Sequence, residues 1–439
     1  MKRTRKLIAL MATMAMVLSL GVTSAFAAGI SDTSTGVADL RPGTDTQITV
    51  PKGVTFMNAD SVTSYGPGIT YSYTLAPATV TDGAMTVKDA QGHITTVHSG
   101  PAEGLYFVTD TANSNNFTAT SKTAATLAFP ATETYTTTPA GTQATKHLTM
   151  AFDASKFGTT PGVYRYVITD TTATSALYTA GVTRDDDYDT TRFIDVFVKR
   201  NAAGNMEVYG YALKTDNSST DGSATPATAK DPGYVSESPV ESGGSNPDTD
   251  RYETYNVTLT KQVEGTLGDR NHEFPFAITV ANDSKNYNAA KGDVAAAKAA
   301  TADAQTSKST TLKHGETYTL AGLSPHATVA YQETNDTTDL YTVTVAGSSS
   351  AIAVTENAAA KTYAVAAGAV SSYETDNSTS SVNDLGATTN YSAVTYTNTL
   401  DEVSPTGFIQ HFGMIFMIFA AAVMMFVVAA SRSSEDEEM

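Results

Sequence analysis

The stretch "NVTLTKQVEG", residues 256–265, reads as a β-strand in which Val257, Leu259 and Val263 share one face, and Lys261 falls on that same face. Two later stretches break their alternation in the same way. In "ATVAYQET" the series Val329, Tyr331 runs on to Glu333, and in "AVTYTNTL" the series Val394, Tyr396 runs on to Asn398. Strand side chains repeat with period two, so each polar residue inherits the inward direction of its apolar predecessors. Taken singly, each has an ordinary explanation: a lysine that snorkels at a strand end, an acid that pairs with it, an asparagine that begins a turn. Three matching parities argue instead for one shared site inside a core.

The ends of the chain set its compartment. Residues 1–27 carry Lys2, Arg3, Arg5 and Lys6, then an apolar run, then Ala25-Phe26-Ala27 with small residues at −3 and −1 of a cleavage position, the pattern of a secretory signal peptide. Residues 408–430 are uncharged and rich in Phe, Ile, Met, Val and Ala, long enough for the roughly 20 helical residues that span a bilayer. The expectation is a secreted chain held by a C-terminal transmembrane helix, with a short tail at 431–439. Cysteine is absent, so no disulfide can reinforce it outside the cell. The net charge of −18 includes four signal-peptide cations, so the exported part is more acidic still, which argues against nucleic acid or anionic lipid as a partner.

Between the termini, Thr-, Val- and Tyr-rich alternating runs separated by Gly, Asn, Asp and Pro predict an all-β chain of two tandem immunoglobulin-like β-sandwiches. "ITYSYTL", "GVYRYVIT", "FIDVFVKR" and "MEVYGYAL" are the clearest strands of a first domain at 28–217. A Ser-, Gly-, Pro- and Asp-rich stretch at 218–250 reads as a linker or long loop. The second domain, 251–402, has strands at "YNVTLTKQV", "EFPFAITV", "ETYTLAG", "TVAYQET", "LYTVTVA" and "AVTYTNTL", interrupted by the Ala-rich "NAAKGDVAAAKAATADAQTSK", which reads as a short helical or mobile excursion. Both halves open on a lysine-bearing strand and later show an apolar strand ending in an acid, which suggests a duplicated architecture.

The segments "YNVTLTKQVEGTLGDRNHEFPFAITV", "TTLKHGETYTLAGLSPHATVAYQET" and "YTNTL", followed by "VSPTG" and an apolar span, resemble the sortase-assembled major (backbone) pilins of Gram-positive bacteria, built from isopeptide-forming domains of the collagen-adhesin-B type. "GITYSYTLAPA" and "FGTTPGVYRYVITD" resemble the pilin isopeptide-linkage domain of the same group. The resemblance implies that Lys261, on the first strand, attacks the side-chain amide of Asn398, on the last, that Glu333 assists, and that ammonia leaves. Burial disfavours charge on the amine and on the acid, which suits a neutral nucleophile and an acid that donates to the developing oxyanion. The reaction is self-catalysed and single-turnover, so the chain is not expected to be an enzyme in any other sense. If the disulfide chain-entropy argument transfers, closing a loop of more than a hundred residues stabilises a domain by roughly 4 to 5 kcal/mol.

In the first domain, "ITVPKGVTF" places Lys52 in parity with Ile48, Val50, Val54 and Phe56, and "GVYRYVITD" places Asp170 in parity with Tyr164, Tyr166 and Ile168. The resemblance then offers Asn217, in parity with Tyr209, Tyr211 and Leu213, as the amide partner. Lys52 has a rival role as the sortase acceptor, because "TVPKG" resembles the acceptor motif of backbone pilins. An internal bond needs Lys52 buried and polymerisation needs it exposed, so the two roles exclude each other.

Val403, Ser404, Pro405, Thr406 and Gly407 form a sortase motif in outline, with cleavage between Thr406 and Gly407; the acidic tail departs from the basic cluster usual there. The function expected is a structural subunit of a covalently polymerised surface pilus, anchored to the cell wall, and the alternative is a wall-anchored adhesin that does not polymerise. Partners implied by the resemblance are a sortase, further copies of the chain, other pilus subunits, peptidoglycan and a host surface ligand. No cofactor is expected. "RDDDYD", 184–189, lacks the spacing of a calcium loop and reads as solvated, and the seven histidines show no metal-ligand spacing. No phosphate loop or nucleophile elbow occurs.

Overall fold

The structure, a computed structural model, describes residues 38–39, 46–80, 86–88, 94–109, 116–184, 188–214, 233–235, 250–300, 302–303, 306–335, 341–371 and 391–402. The signal peptide, Asn217, the sortase motif, the C-terminal apolar span and the tail lie outside them. Among the described residues the chain is mostly β, and no helix is long and apolar enough to cross a membrane.

Eight strands carry the first sandwich: β1 (Gln47–Met57), β2 (Ile69–Pro77), β3 (Ala124–Phe129), β4 (Thr142–Phe152), β5 (Gly162–Asp170), β6 (Thr191–Arg200), β7 (Met206–Lys214) and β8 (Asp250–Glu253). One sheet runs β7-β6-β5-β2-β3, and the other places β1 between β8 and β4. Alternate residues of the two sheets meet in one core, with Ile48, Val50, Val54 and Phe56 from β1 facing Tyr71, Tyr73, Tyr166 and Ile168.

The second sandwich follows with β9 (Tyr255–Glu264), β10 (Phe274–Ala281), β11 (Tyr287–Lys291), β12 (Ser307–Leu312), β13 (Thr317–Leu323), β14 (Thr328–Thr334), β15 (Thr342–Ala346), β16 (Thr362–Ala369) and β17 (Ala393–Thr399). Its sheets are β11-β13-β9-β17-β15 and β12-β10-β14-β16. Strand β9 alternates strictly between buried and half-buried positions, and Lys261 belongs to the buried set with Val257, Leu259 and Val263. Gly265, at φ +88°, ends the strand where a Cβ would stand 2.1 Å from the Leu400 carbonyl, so glycine lets the following turn lie against the end of β17.

In both sandwiches the first strand pairs in parallel with the last: β1 with β8, and β9 with β17. Parallel neighbours need a crossover connection. Here the rest of the domain is that connection.

The structure corrects one expectation and refines another. Residues 218–250 are more than a linker: Tyr234 is fully buried in the first core and bridges Lys52, and Asp250 opens β8, which adds to the first sandwich beside β1. The first sandwich therefore runs to Glu253, past the boundary expected near Asp250, and Thr254 alone separates β8 from β9. Asn58 secures that junction by donating from Nδ2 to the Thr254 carbonyl at 2.9 Å. Among the described residues of the Ala-rich segment only Val294–Ala299 is helical, capped by Asp293, while 288–291 lie in β11 and Ser307 and Lys308 in β12. Sheet pairing overrides alanine's helix propensity where a neighbouring strand supplies partners.

Candidate functional site

Lys261, Glu333 and Asn398 meet at the centre of the second sandwich, each with no exposed surface. Lys261 and Asn398 stand on the adjacent parallel strands β9 and β17 of one sheet. The ladder pairs Asn398 with Val263, two residues beyond Lys261 on the same face. Glu333 comes from β14 in the opposite sheet. Its Oε2 lies 2.8 Å from Lys261 Nζ, and its Oε1 accepts from Asn398 Nδ2 at 2.5 Å. One carboxyl thus touches both the amine and the amide.

The surroundings are apolar. Lys261 Nζ sits 4.2 Å from the Phe274 ring centroid, and Phe276 and Tyr396 pack edge to face at 5.2 Å. Tyr396 turns its hydroxyl away, donating to the Tyr331 carbonyl. Burial lowers the Lys261 amine to about 8, with Glu333 opposing part of the shift. The contact with Glu333 Oε2 is close but misaligned for a hydrogen bond, and Asn398 Oδ1 is buried without a donor. Such unsatisfied groups are costly in a core, so the unreacted trio is a strained arrangement. A half-turn of the Asn398 amide exchanges its Oδ1 and Nδ2 and brings the oxygen to Glu333.

The first sandwich holds a second cluster. Lys52, Asp250 and Asp170 are all buried. Lys52 Nζ donates to Asp250 Oδ2 at 2.7 Å and to the Tyr188 hydroxyl at 2.9 Å. Tyr188 in turn donates to Asp170 Oδ2 at 3.0 Å. Arg184 donates to both Asp250 oxygens, at 2.7 and 2.9 Å, and to Asp170 Oδ2 at 2.8 Å. Burial pushes the Lys52 amine down against the pull of Asp250. Burial also opposes ionisation of Asp250, but Lys52 and Arg184 outweigh it and hold that carboxyl well below the usual carboxylate range.

The three expected residues of the second domain are thus brought together. In the first domain Lys52 and Asp170 enter one cluster, linked through Tyr188 and Arg184. Asn217 is outside the described residues, and β7, which precedes it, lies in the sheet opposite Lys52. The position beside Lys52 is held by Asp250. With no exposed surface, Lys52 does not offer a sortase its amine in this fold. Arg184 and Tyr188 come from the stretch read as a solvated acidic loop. Sequence reading missed Asp250: Asp250, Tyr252 and Thr254 are all buried on one parity, but the strand, at four residues, is too short for that alternation to stand out.

Residues 255–400 match the model of a family described as a domain of unknown function, DUF7601. No curated protein matches the chain. Among solved structures it is similar to a mutant of the major pilin from Streptococcus pyogenes, at 16% identity and TM-score 0.40, covering 81% of this chain and 99% of that one. It is also similar to the T3.2 major pilin of the same species, at 18% identity and TM-score 0.39, covering 83% and 100%. The pilus-presented adhesin Cpa matches at 18% identity and TM-score 0.21, over 49% of this chain and 37% of that one.

Two outcomes follow from the Lys261–Glu333–Asn398 cluster. In Asn398→Ala, Lys261 stays a free amine whose folded value, about 8, lies below its unfolded 10.5. The folded state then binds fewer protons between those values, so its cost is full below about pH 8 and is relieved as pH rises toward 10.5. Thermal unfolding of Asn398→Ala should accordingly gain stability over that window relative to Lys261→Met/Asn398→Ala; a constant difference between the two would exclude the buried charge. Separately, Glu333→Ala should keep the β circular-dichroism signature yet leave Lys261 and Asn398 in separate tryptic peptides, and a joined peptide in that variant would remove Glu333 from any reaction between them.

Proposed function

We propose that the chain is a structural subunit of a covalently polymerised cell-surface pilus, stabilised by a self-formed amide between Lys261 and Asn398 and joined to its neighbours by a sortase. The observation that carries this reading is a buried amine and a buried amide on adjacent first and last strands, bridged by one carboxyl.

The chemistry follows from those contacts. The ammonium of Lys261 passes a proton to Glu333 across the 2.8 Å contact, leaving a neutral amine and a neutral acid. The acid then donates to the Asn398 carbonyl once the amide has turned, which draws charge from the carbon under attack. The new C–N bond forms at Asn398 Cγ, the old one breaks, and ammonia leaves with a proton returned through Glu333. The product replaces an ion pair and an amide lacking a donor with one neutral amide. In a site with no exposed surface, that removes the cost of buried charge.

Polymerisation rests on the sequence. An export signal, the Val403–Gly407 motif and the apolar run at 408–430 occur in the order a sortase substrate requires. The last strand ends at Thr399, and Asp401 and Glu402 are exposed, so the chain leaves the second sandwich at its surface just before that motif. Cleavage after Thr406 would give a thioester, and a lysine of the next subunit would resolve it. Lys52 is buried in the first core, so the acceptor is one of the exposed lysines. The acidic surface keeps such shafts soluble by mutual repulsion.

Peptide mapping of the whole chain should show the Lys261 and Asn398 peptides joined with loss of one ammonia. Lys261→Ala or Asn398→Ala should abolish that species and cost about 4 kcal/mol of stability; separate, unmodified peptides from folded wild-type protein would sink the crosslink. In the native host, wall extracts should contain a ladder of high-mass forms that collapses to a membrane-held monomer in Thr406→Ala. Monomer-sized material alone from the unmodified strain would instead favour the wall-anchored adhesin.

A further inference from the structure

The two sandwiches place their buried lysines in one register. In the second, the residue paired with position 263, two beyond Lys261, is Asn398. In the first, the residue paired with Val54, two beyond Lys52, is Asp250. Both pairings are parallel, between the first and last strands of a sandwich, and in each an acid enters from the facing sheet: Glu333 from β14, Asp170 from the end of β5. Asp250 therefore holds the place of Asn398, with a carboxyl where the other site has an amide. Its Oδ2 is 2.7 Å from Lys52 Nζ, and neither side chain has any exposed surface.

We infer that Lys52 and Asp250 are a second self-crosslinking pair, which closes the first sandwich by an amide formed with loss of water. This extends to the first sandwich the chemistry proposed for Lys261 and Asn398. It is read out separately, because a carboxyl partner releases water where an amide partner releases ammonia.

The step balances within the cluster. The ammonium of Lys52 gives up two of its three protons and Asp250 gives up one oxygen; a bond forms between Nζ and Cγ, a C–O bond breaks, and the two protons leave with that oxygen as water. No oxidant or other reactant is needed. One proton crosses directly to Asp250 over the 2.7 Å contact. The other has a path through the Tyr188 hydroxyl, 2.9 Å from Nζ, to Asp170, 3.0 Å further on, which holds it in transit. Arg184 contacts both Asp250 oxygens, so the oxygen that becomes the amide carbonyl keeps a donor throughout.

Charge accounting favours the product. Before reaction the pocket encloses two cations, Lys52 and Arg184, and two carboxylates, Asp250 and Asp170. Afterwards Arg184 and Asp170 remain, already 2.8 Å apart, as one neutral pair. In water, an ammonium and a carboxylate are too well solvated for their condensation to be favourable. Here the pocket withholds that solvation, and the reaction removes one buried charge of each sign. By contrast Arg165 and Asp195, also buried and paired at 2.6 Å, lie on antiparallel neighbours and carry no amine nucleophile, so they stay an ion pair.

The test is peptide mapping by high-resolution mass spectrometry of the whole folded chain. The peptides carrying Lys52 and Asp250 should be joined and lighter by one water, about 18 Da. Recovery of the two as separate, unmodified peptides would overturn the proposal. Lys52→Arg keeps the cation and should lose the water-deficient species while retaining the ammonia-deficient one at Lys261. Conversely, Asn398→Ala should lose the ammonia-deficient species at Lys261 and retain the water-deficient one, with Lys52 and Asp250 still joined. A water-deficient species that persists in Lys52→Arg would place the dehydration elsewhere and overturn the assignment.

Discussion

Everything in each sandwich turns on the parallel contact between its first and last strands. Because a parallel neighbour cannot be reached by a hairpin, the whole of the domain must be folded before the last strand can dock beside the first. The contact therefore forms only in the completed fold. A lysine on one strand meets its partner on the other at a fixed offset of two residues in both sandwiches. The two side chains of each pair therefore meet only once the sandwich is complete, and any reaction between them would be conditional on correct folding.

The same contact determines how the protein bears load. Tension applied along the chain pulls the first strand of a sandwich one way and the last strand the other, and in a parallel pair this shears the ladder rather than peeling it open. Hydrogen bonds across the ladder would then share the force, yet each contributes only about 1 kcal/mol net. The proposed side-chain amide between the two strands would carry the force in one covalent bond and leave the remaining strands unloaded. Since only Thr254 stands between β8 and β9, the load leaving the first sandwich enters the second at once, through strands that both carry reactive partners.

Much of this was legible in sequence, and the limits have physical causes. The strands of the second domain and the inward direction of Lys261, Glu333 and Asn398 followed from period two, because long strands with strict alternation leave little choice of face. The first domain's lysine and acid were legible for the same reason, at Lys52 and Asp170. Its partner was not. Asp250 opens a strand of four residues after a polar stretch, too short for alternation to stand out, and its pairing with Val54 is a contact across nearly two hundred residues that no local pattern reports. Tyr234 was hidden likewise, a single core residue in a segment whose composition reads as linker. Arg184 and Tyr188 were masked by their acidic neighbours, since a run of aspartates looks solvated whether or not the residues at its ends turn inward.

The two pockets also show how a shared geometry accommodates different partners beside the lysine. An amide brings no charge of its own, so the second pocket needs to manage only Lys261 and Glu333, and aromatic rings suffice as its walls. A carboxylate adds a negative charge to the site. The first pocket answers with a second cation, Arg184, stacked 3.9 Å over the Tyr188 ring and tied to both acids. Without Arg184, the cluster of Lys52, Asp250 and Asp170 would bury a net negative charge, and burial would resolve that by protonating an acid or opening the core. The arginine is therefore what allows an aspartate to stand where the other sandwich has an asparagine. The exchange of one residue type at the end of the domain required a compensating residue from a loop more than sixty positions earlier.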